Sequence, residues 1–201
     1  MKNSHESGRR KIGILGGSFD PVHFGHLEMA KAAKEAVGLE SVVFLPCYVS
    51  PFKEKTGATA EQRHEMLKIA LVEMGYEWAT VSDYELNRPG PSYSWQTAEH
   101  FSKQRQDVDW HWIAGTDQWA QIDKWAEPEI LRELLHFIIL NRAGVSAQER
   151  EGWRHTSVAF DHPASSTEIR ANPEERSNWL PRGVLKFIRE NGLYGDNKGT
   201  E

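Results

Sequence analysis

Apolar residues come in short unbroken runs, separated by longer amphipathic stretches. KIGILGG stops at paired glycines and predicts a buried strand over 11–16. SVVFLP, β-branched and closed by Pro46, predicts a second over 41–46. WATVSDYEL (78–86), WHWIAG (110–115), FIILNR (137–142) and SVAFD (157–161) predict four more. Between these runs, residues 25–37 are rich in Ala, Lys, Glu and Leu and read as a helix, with Gly38 as its C-cap. Residues 60–74 set Met66, Ile69, Ala70 and Glu73 at helical spacing and stop at Gly75. A helix over 94–106 starts from Ser94 as N-cap. Another over 128–135 carries Pro128 in its first turn. NRPGPSY (87–93) is a turn, 143–157 a helical turn within a loop, and 165–172 and 181–191 the last helices.

Strand and helix alternate, and the strands are apolar throughout rather than at every second residue. That predicts an α/β fold, a Rossmann-like parallel sheet with helices on both faces. Residues 1–10 are expected to be a flexible leader, 11–195 a single domain with a helical part from about 165, and 196–201 a polar tail. Ligands in such sheets bind beyond the carboxyl ends of the strands. The loops after the strands at 11–16, 41–46, 78–86 and 110–115 are therefore where chemistry is expected.

Composition narrows the partners. Of 201 residues, 24 are Lys or Arg and 29 are Asp or Glu, a net charge of −5. A dedicated nucleic-acid binder carries a basic surplus, so none is expected here, though a local basic pocket is allowed. Mean hydropathy is −0.62, and no apolar run approaches the ~20 residues of a membrane span. The polar start shows no secretory signal. Cys47 is the single cysteine, which excludes a disulfide framework and a Cys-based zinc site. A cytoplasmic protein without a membrane partner is expected.

The richest stretch is GGSFDPVHFGH, from Gly16 to His26, between the first strand and the first helix. Glycines there let backbone approach a ligand. The helix N-terminus favours phosphate. His23 and His26 flank Gly25, and both can donate to phosphate oxygens. The string is neither G-x-G-x-x-G nor a P-loop. A metal held by the two histidines lacks a visible further ligand set. The plainest alternative is a turn carrying two surface histidines.

This string resembles the H-x-G-H signature of the nucleotidyltransferase superfamily, and is most similar to the bacterial nicotinate-nucleotide adenylyltransferase family. The similarity runs from about Lys11 to Tyr194. It implies a nucleotidyltransferase-type fold, in which His23 and His26 bind phosphates and stabilise charge passing to pyrophosphate. Gly16, Gly17, Ser18 and Phe19 fall to the ATP side. Ser18 stands where the family has Thr. VSPFK (49–53) resembles the family's Pro-His-Lys. Lys53 then reaches the phosphates, and Phe52 replaces the histidine. AEQRHEMLKIAL (60–71) resembles the R-x-x-M-L helix through Arg63 and Met66, with the apolar stripe expected in the core.

Downstream, ELNRPGPSYSWQT resembles the segment ending S-Y-T-x-D-T. By that resemblance Ser94 and Thr97 are mononucleotide-binding, and Gln96 stands where the family has Asp. Ser94 also reads as a helix N-cap. WIAGTDQWAQIDKW resembles the family's G-x-D followed by Trp. That puts Gly115 and Asp117 beside the nucleotide and Trp125 on the nicotinate ring, with Trp119 structural. SSTEIR matches S-S-T-x-I-R, so Ser165, Ser166, Thr167 and Arg170 become an ATP phosphate clamp. Ser165 to Glu168 also fits a capping box. The C-terminal stretch 179–195 reads as structural.

The reaction implied is adenylyl transfer from ATP, with Mg²⁺ on its phosphates, to nicotinate mononucleotide, giving deamido-NAD. Nicotinamide mononucleotide or phosphopantetheine are the alternatives within the superfamily. A non-catalytic nucleotide sensor is the alternative outside it. A homo-oligomer is compatible with all of these.

Overall fold

The computed structural model describes residues 8–49, 57–141 and 147–194. Six strands form one sheet: β1 (Arg10–Gly17), β2 (Ser41–Pro46), β3 (Ala79–Val81), β4 (Val108–Gly115), β5 (His136–Asn141) and β6 (His155–Ala159). The helices are α1 (Phe24–Val37), α2 (Ala60–Glu73), α3 (Ser94–Gln104), α4 (Thr116–Trp119), α5 (Pro128–Leu134), α6 (Ser166–Ala171) and α7 (Arg182–Glu190). Every strand pair is parallel, in the order β3-β2-β1-β4-β5-β6. The chain reverses its direction of travel across the sheet between β1 and β4. The crevice beyond their carboxyl ends is where doubly wound sheets bind ligands.

Unbroken apolar strands have both faces covered, as expected. Leu15, Phe44, Ile113, Ile138 and Leu140 pack with α1, α2, α6 and α7 on one side. Ile14, Leu45, Trp112, Phe137 and Ile139 pack with α3, α4 and α5 on the other. Gly38 ends α1 in the left-handed conformation at φ 68°, the C-cap expected of it.

Several local expectations need correction. The run 78–86 forms a strand over three residues only. β3 is an edge that pairs with Val42–Phe44 of β2, and the Ser82 N–H adds one more bond, to Phe44 O. Beyond it the chain turns, which sends Glu85 inward. The N-cap of α3 is Tyr93, and Ser94 is its first helical residue. Ser165 occupies the N-cap of α6 without a side-chain cap bond, so no capping box forms there. Glu168 instead pairs with Arg176 at 3.2 Å. A capping box does form at α2, where Thr59 Oγ1 accepts from Gln62 N–H and Gln62 Oε1 from Thr59 N–H. Residues 147–154 hold no helix, and α4 and short 3₁₀ turns at 122–124 and 177–179 were not foreseen.

Histidines gather at the amino ends of β4, β5 and β6, far from the ligand crevice. The rings of His111 and His136 stack with centroids 4.8 Å apart, and His136 Nε2 lies 2.9 Å from Thr156 Oγ1. Burial, helped by His111, Arg154 and His155 and opposed by Asp109, brings His136 down to about 4. Burial also lowers His111, against the Asp109 carbonyl and carboxylate. An unfolded histidine takes its proton near ~6.5, so the unfolded chain binds more protons between the two values. Stability should therefore fall as pH drops from about 6.5 through about 4. Urea midpoints should decline across that window in the native chain and decline less in His136→Asn; parallel declines would contradict this.

Candidate active site

Where β1 ends, the chain must turn sharply to enter α1. Phe19 sits at φ 48°, a left-handed conformation uncommon for a bulky residue. Its ring is 2% exposed and packs edge-on against His26 at 5.0 Å. Gly16 is needed because a Cβ there would meet the Trp112 ring at 2.9 Å. The sharp turn delivers His23 to the N-cap of α1 and His26 to its first turn.

The imidazoles of His23 and His26 stack with centroids 3.8 Å apart. Gly25 makes this arrangement fit, since a Cβ at Gly25 would stand 2.9 Å from the His23 ring. His23 is 5% exposed, and its buried Nδ1 has no hydrogen-bond partner among the described residues. Burial first, then His26 and His162, push it far below the usual imidazole range. A neutral imidazole nitrogen at the mouth of a helix is placed to form a hydrogen bond with a ligand.

Long-range bonds hold this loop from behind. Arg63 of α2 is fully buried and donates to the carbonyls of Ser18, Cys47 and Tyr48 at 2.7, 2.8 and 3.2 Å. The Asp20 carboxylate accepts from Gly57 N–H, Ala58 N–H and the Tyr194 hydroxyl at 2.7, 3.0 and 2.6 Å. From α6, Ser166 Oγ donates to Pro21 O and Arg170 Nη1 to Asp20 O.

A cavity of about 230 Å³ lies beside the turn that precedes α3. Glu85, Arg88, Ser92, Tyr93, Gln96 and Thr97 are among its lining residues. Thr97 is 1% exposed and donates to Glu85 Oε1 at 2.7 Å. Burial raises the Glu85 carboxyl above its ordinary range, against the pull of Thr97, Ser92 and Arg88. Ser92 Oγ accepts from Tyr48 N–H at 3.0 Å. Arg63 and Tyr48 thus link the β1–α1 loop to this cavity by hydrogen bonds. At the end of β4, Gly115 caps α4 and Asp117 is exposed in its first turn. Trp125 stands edge-on to Trp112 at 6.1 Å.

The cytidylyltransferase-like family profile matches residues 14–172. A relative from Listeria monocytogenes, named "Probable nicotinate-nucleotide adenylyltransferase", is 36% identical over 191 residues, 93% of this chain and 98% of the relative. The chain belongs to the nicotinate-nucleotide adenylyltransferase family. A relative of the same name from Methylacidiphilum infernorum is 33% identical over 193 residues, 94% of each chain. The Plasmodium falciparum nicotinic acid mononucleotide adenylyltransferase complexed with NaAD aligns with a TM-score of 0.80 at 18% identity. That alignment covers 94% of this chain and 100% of that one. It speaks for the fold.

In this family member the H-x-G-H residues and the S-S-T-x-I-R segment do meet, through Ser166 and Arg170 on the β1–α1 loop. Three of the expected site residues also make contacts within the protein. Phe19 turns its ring into the core. Thr97 lines the cavity and donates its hydroxyl to Glu85 Oε1. Arg170 spends Nη1 on Asp20 O and Nη2 on Thr167 Oγ1. Lys53 and Phe52 lie outside the described residues. Trp119 is structural as expected, donating from Nε1 to Gln148 O. Sequence reasoning missed Glu85, whose signal was an acid two residues before the NRPGPSY turn, and missed the bracket made by Arg63. It also missed His162, which has no motif of its own. Among the described residues no group of three or more His, Cys, Asp or Glu could hold a metal ion. No helix among them is long and apolar enough to cross a membrane.

Proposed function

We propose that this chain transfers the adenylyl group of ATP to nicotinate mononucleotide, releasing deamido-NAD and pyrophosphate. The observation that carries this reading is the pair of stacked imidazoles at the N-terminus of α1, beside the β1–β4 crevice. A 5′-phosphate oxygen of the mononucleotide forms a bond to the α-phosphorus of ATP. The bond from that phosphorus to the bridging oxygen breaks, and its electron pair leaves with pyrophosphate. The attacking phosphate is already anionic, so no side-chain nucleophile or strong base is required.

Catalysis then rests on positioning and on stabilising charge. His23 and His26 donate to oxygens where negative charge grows, and the α1 dipole acts in the same sense. Asp117 receives nucleotide hydroxyls, while Ser165 and Thr167 offer hydroxyls to the phosphates beside Arg170, and Ser166, whose hydroxyl is spent on Pro21 O, holds the β1–α1 loop in place for them. Mg²⁺ is part of this proposal as the companion of the ATP phosphates, keeping water ligands as its octahedral chemistry favours.

The cavity at Ser92–Thr97 takes the pyridine end. Ser94 begins the helix beside it, and Trp125 offers a flat ring worth ~0.5–1.5 kcal/mol beyond area burial. Arg88 in the cavity wall supplies positive charge for a carboxylate. The amide of nicotinamide carries a donor as well as an acceptor, and gains nothing from that charge. Pyrophosphate release should favour nicotinate over nicotinamide mononucleotide by about tenfold or more in kcat/KM, ~1.4 kcal/mol. Parity, or preference for the amide, would move the chain to a nicotinamide or dual-specific activity. Binding without turnover would make it a sensor.

A further inference from the structure

A third imidazole reaches the same helix end from the other side of the chain. The loop after β6 continues the sheet by one bond, Phe160 N–H to Asn141 O, and then carries His162 towards α1. The point where a Gly25 Cβ would sit is 3.2 Å from His162 Nδ1, as well as 2.9 Å from the His23 ring. One glycine therefore makes room for two imidazoles. The Ser166 bond to Pro21 O fastens the following segment to the β1–α1 loop. His162 is half-buried, and its ring lies nearly parallel to Phe160, at 11° and 6.5 Å.

The protonation pattern of this ring follows from its neighbour. Ala164 N–H donates to His162 Nδ1 at 3.1 Å, so in the neutral ring Nε2 carries the hydrogen. His162 is thus a hydrogen-bond donor through Nε2 in either protonation state. Beside it, the buried Nδ1 of His23 lacks a partner among the described residues, and α1 is a helix of 14 residues whose N-terminus faces both rings.

We propose that His162 is a third phosphate-binding imidazole of this site, donating from Nε2 to a phosphate oxygen of the nucleotide held at the N-terminus of α1. The proposal rests on the adenylyl-transfer reading and adds a residue outside the H-x-G-H and S-S-T-x-I-R motifs. The repulsion His162 exerts on a charged His23 agrees with this closeness.

Three variants of the full chain test it. His162→Phe keeps a flat ring against Phe160 and removes the donor. His162→Asn can still accept from Ala164 N–H but falls short of the ligand. His162→Gln can accept that bond and also donate. Calorimetry with inorganic tripolyphosphate should find affinity reduced about tenfold or more in the Phe and Asn variants, the scale of one bond to a charged group. It should find affinity largely restored in the Gln variant. KM for the mononucleotide and the thermal melt should stay at native values. If the Phe variant melts early, the Asn variant carries the same comparison. Native tripolyphosphate affinity in the Asn variant, or an equal loss in the Gln variant, would overturn the donor role. Absence of pyrophosphate release by the native chain would instead overturn adenylyl transfer, and the tripolyphosphate comparison would still judge His162.

Discussion

A His26→Ala variant is expected to fold like the native chain and to turn over about 10²–10³-fold more slowly, the scale of removing one transition-state donor. The ring of His26 lies against His23 at 3.8 Å and Phe19 at 5.0 Å, half-exposed at the crevice. Little core packing is lost with it, and the backbone bond from His26 N–H to His23 O does not depend on the side chain. The deficit should fall on kcat, because the developing charge on pyrophosphate is greatest in the transition state. Single-turnover measurements with saturating ATP would read it directly. Turnover within about twofold of native, with an unchanged melt, would remove His26 from the chemistry.

His26 could be singled out from sequence because its whole context is local. Strand, paired glycines, turn and helix follow one another within 10–37. The strands could be read for a similar reason. A run such as FIILN is apolar on both faces whatever lies around it, and the sheet covers both. Glu85 could not be read in this way. Its burial depends on β3 stopping at Val81, where the chain leaves the edge of the sheet after one last bond from Ser82 N–H to Phe44 O. His162 depends on a contact between the loop after β6 and α1, which nothing in its own neighbourhood implies. The capping signals misled at Ser94 and Ser165, because the hydroxyl pattern allows a cap and the loop geometry did not form one. Arg63 was visible as a motif match, but its task was not. An arginine among helical apolar residues looks like a surface charge until the loops it holds are in place.

That task sets the second large effect. Arg63→Met keeps the length of the side chain and its fit among apolar neighbours, but removes every donor. Bonds to three carbonyls, from Ser18, Cys47 and Tyr48, are lost together inside the protein. Bonds from a charged group in such surroundings contribute about 1.5–3 kcal/mol each, so stability should fall by about 3 kcal/mol or more. A denaturant titration measures this. The two loops joined by the guanidinium lie on the proposed ATP and pyridine sides, so KM for both substrates should rise in the same variant. A stability change below about 1 kcal/mol would mean that the loops hold their shape without Arg63.

The Tyr194 hydroxyl closes on Asp20 across 174 positions of chain. During translation β1 and its phosphate loop emerge early, and domains begin to organise from their N-terminal parts. Asp20 nevertheless lacks one of its partners until residue 194 has left the ribosome. A nascent chain can therefore build the sheet from β1 to β6 before its β1–α1 loop is locked, which makes α7 and the residues after it the step that completes the proposed site.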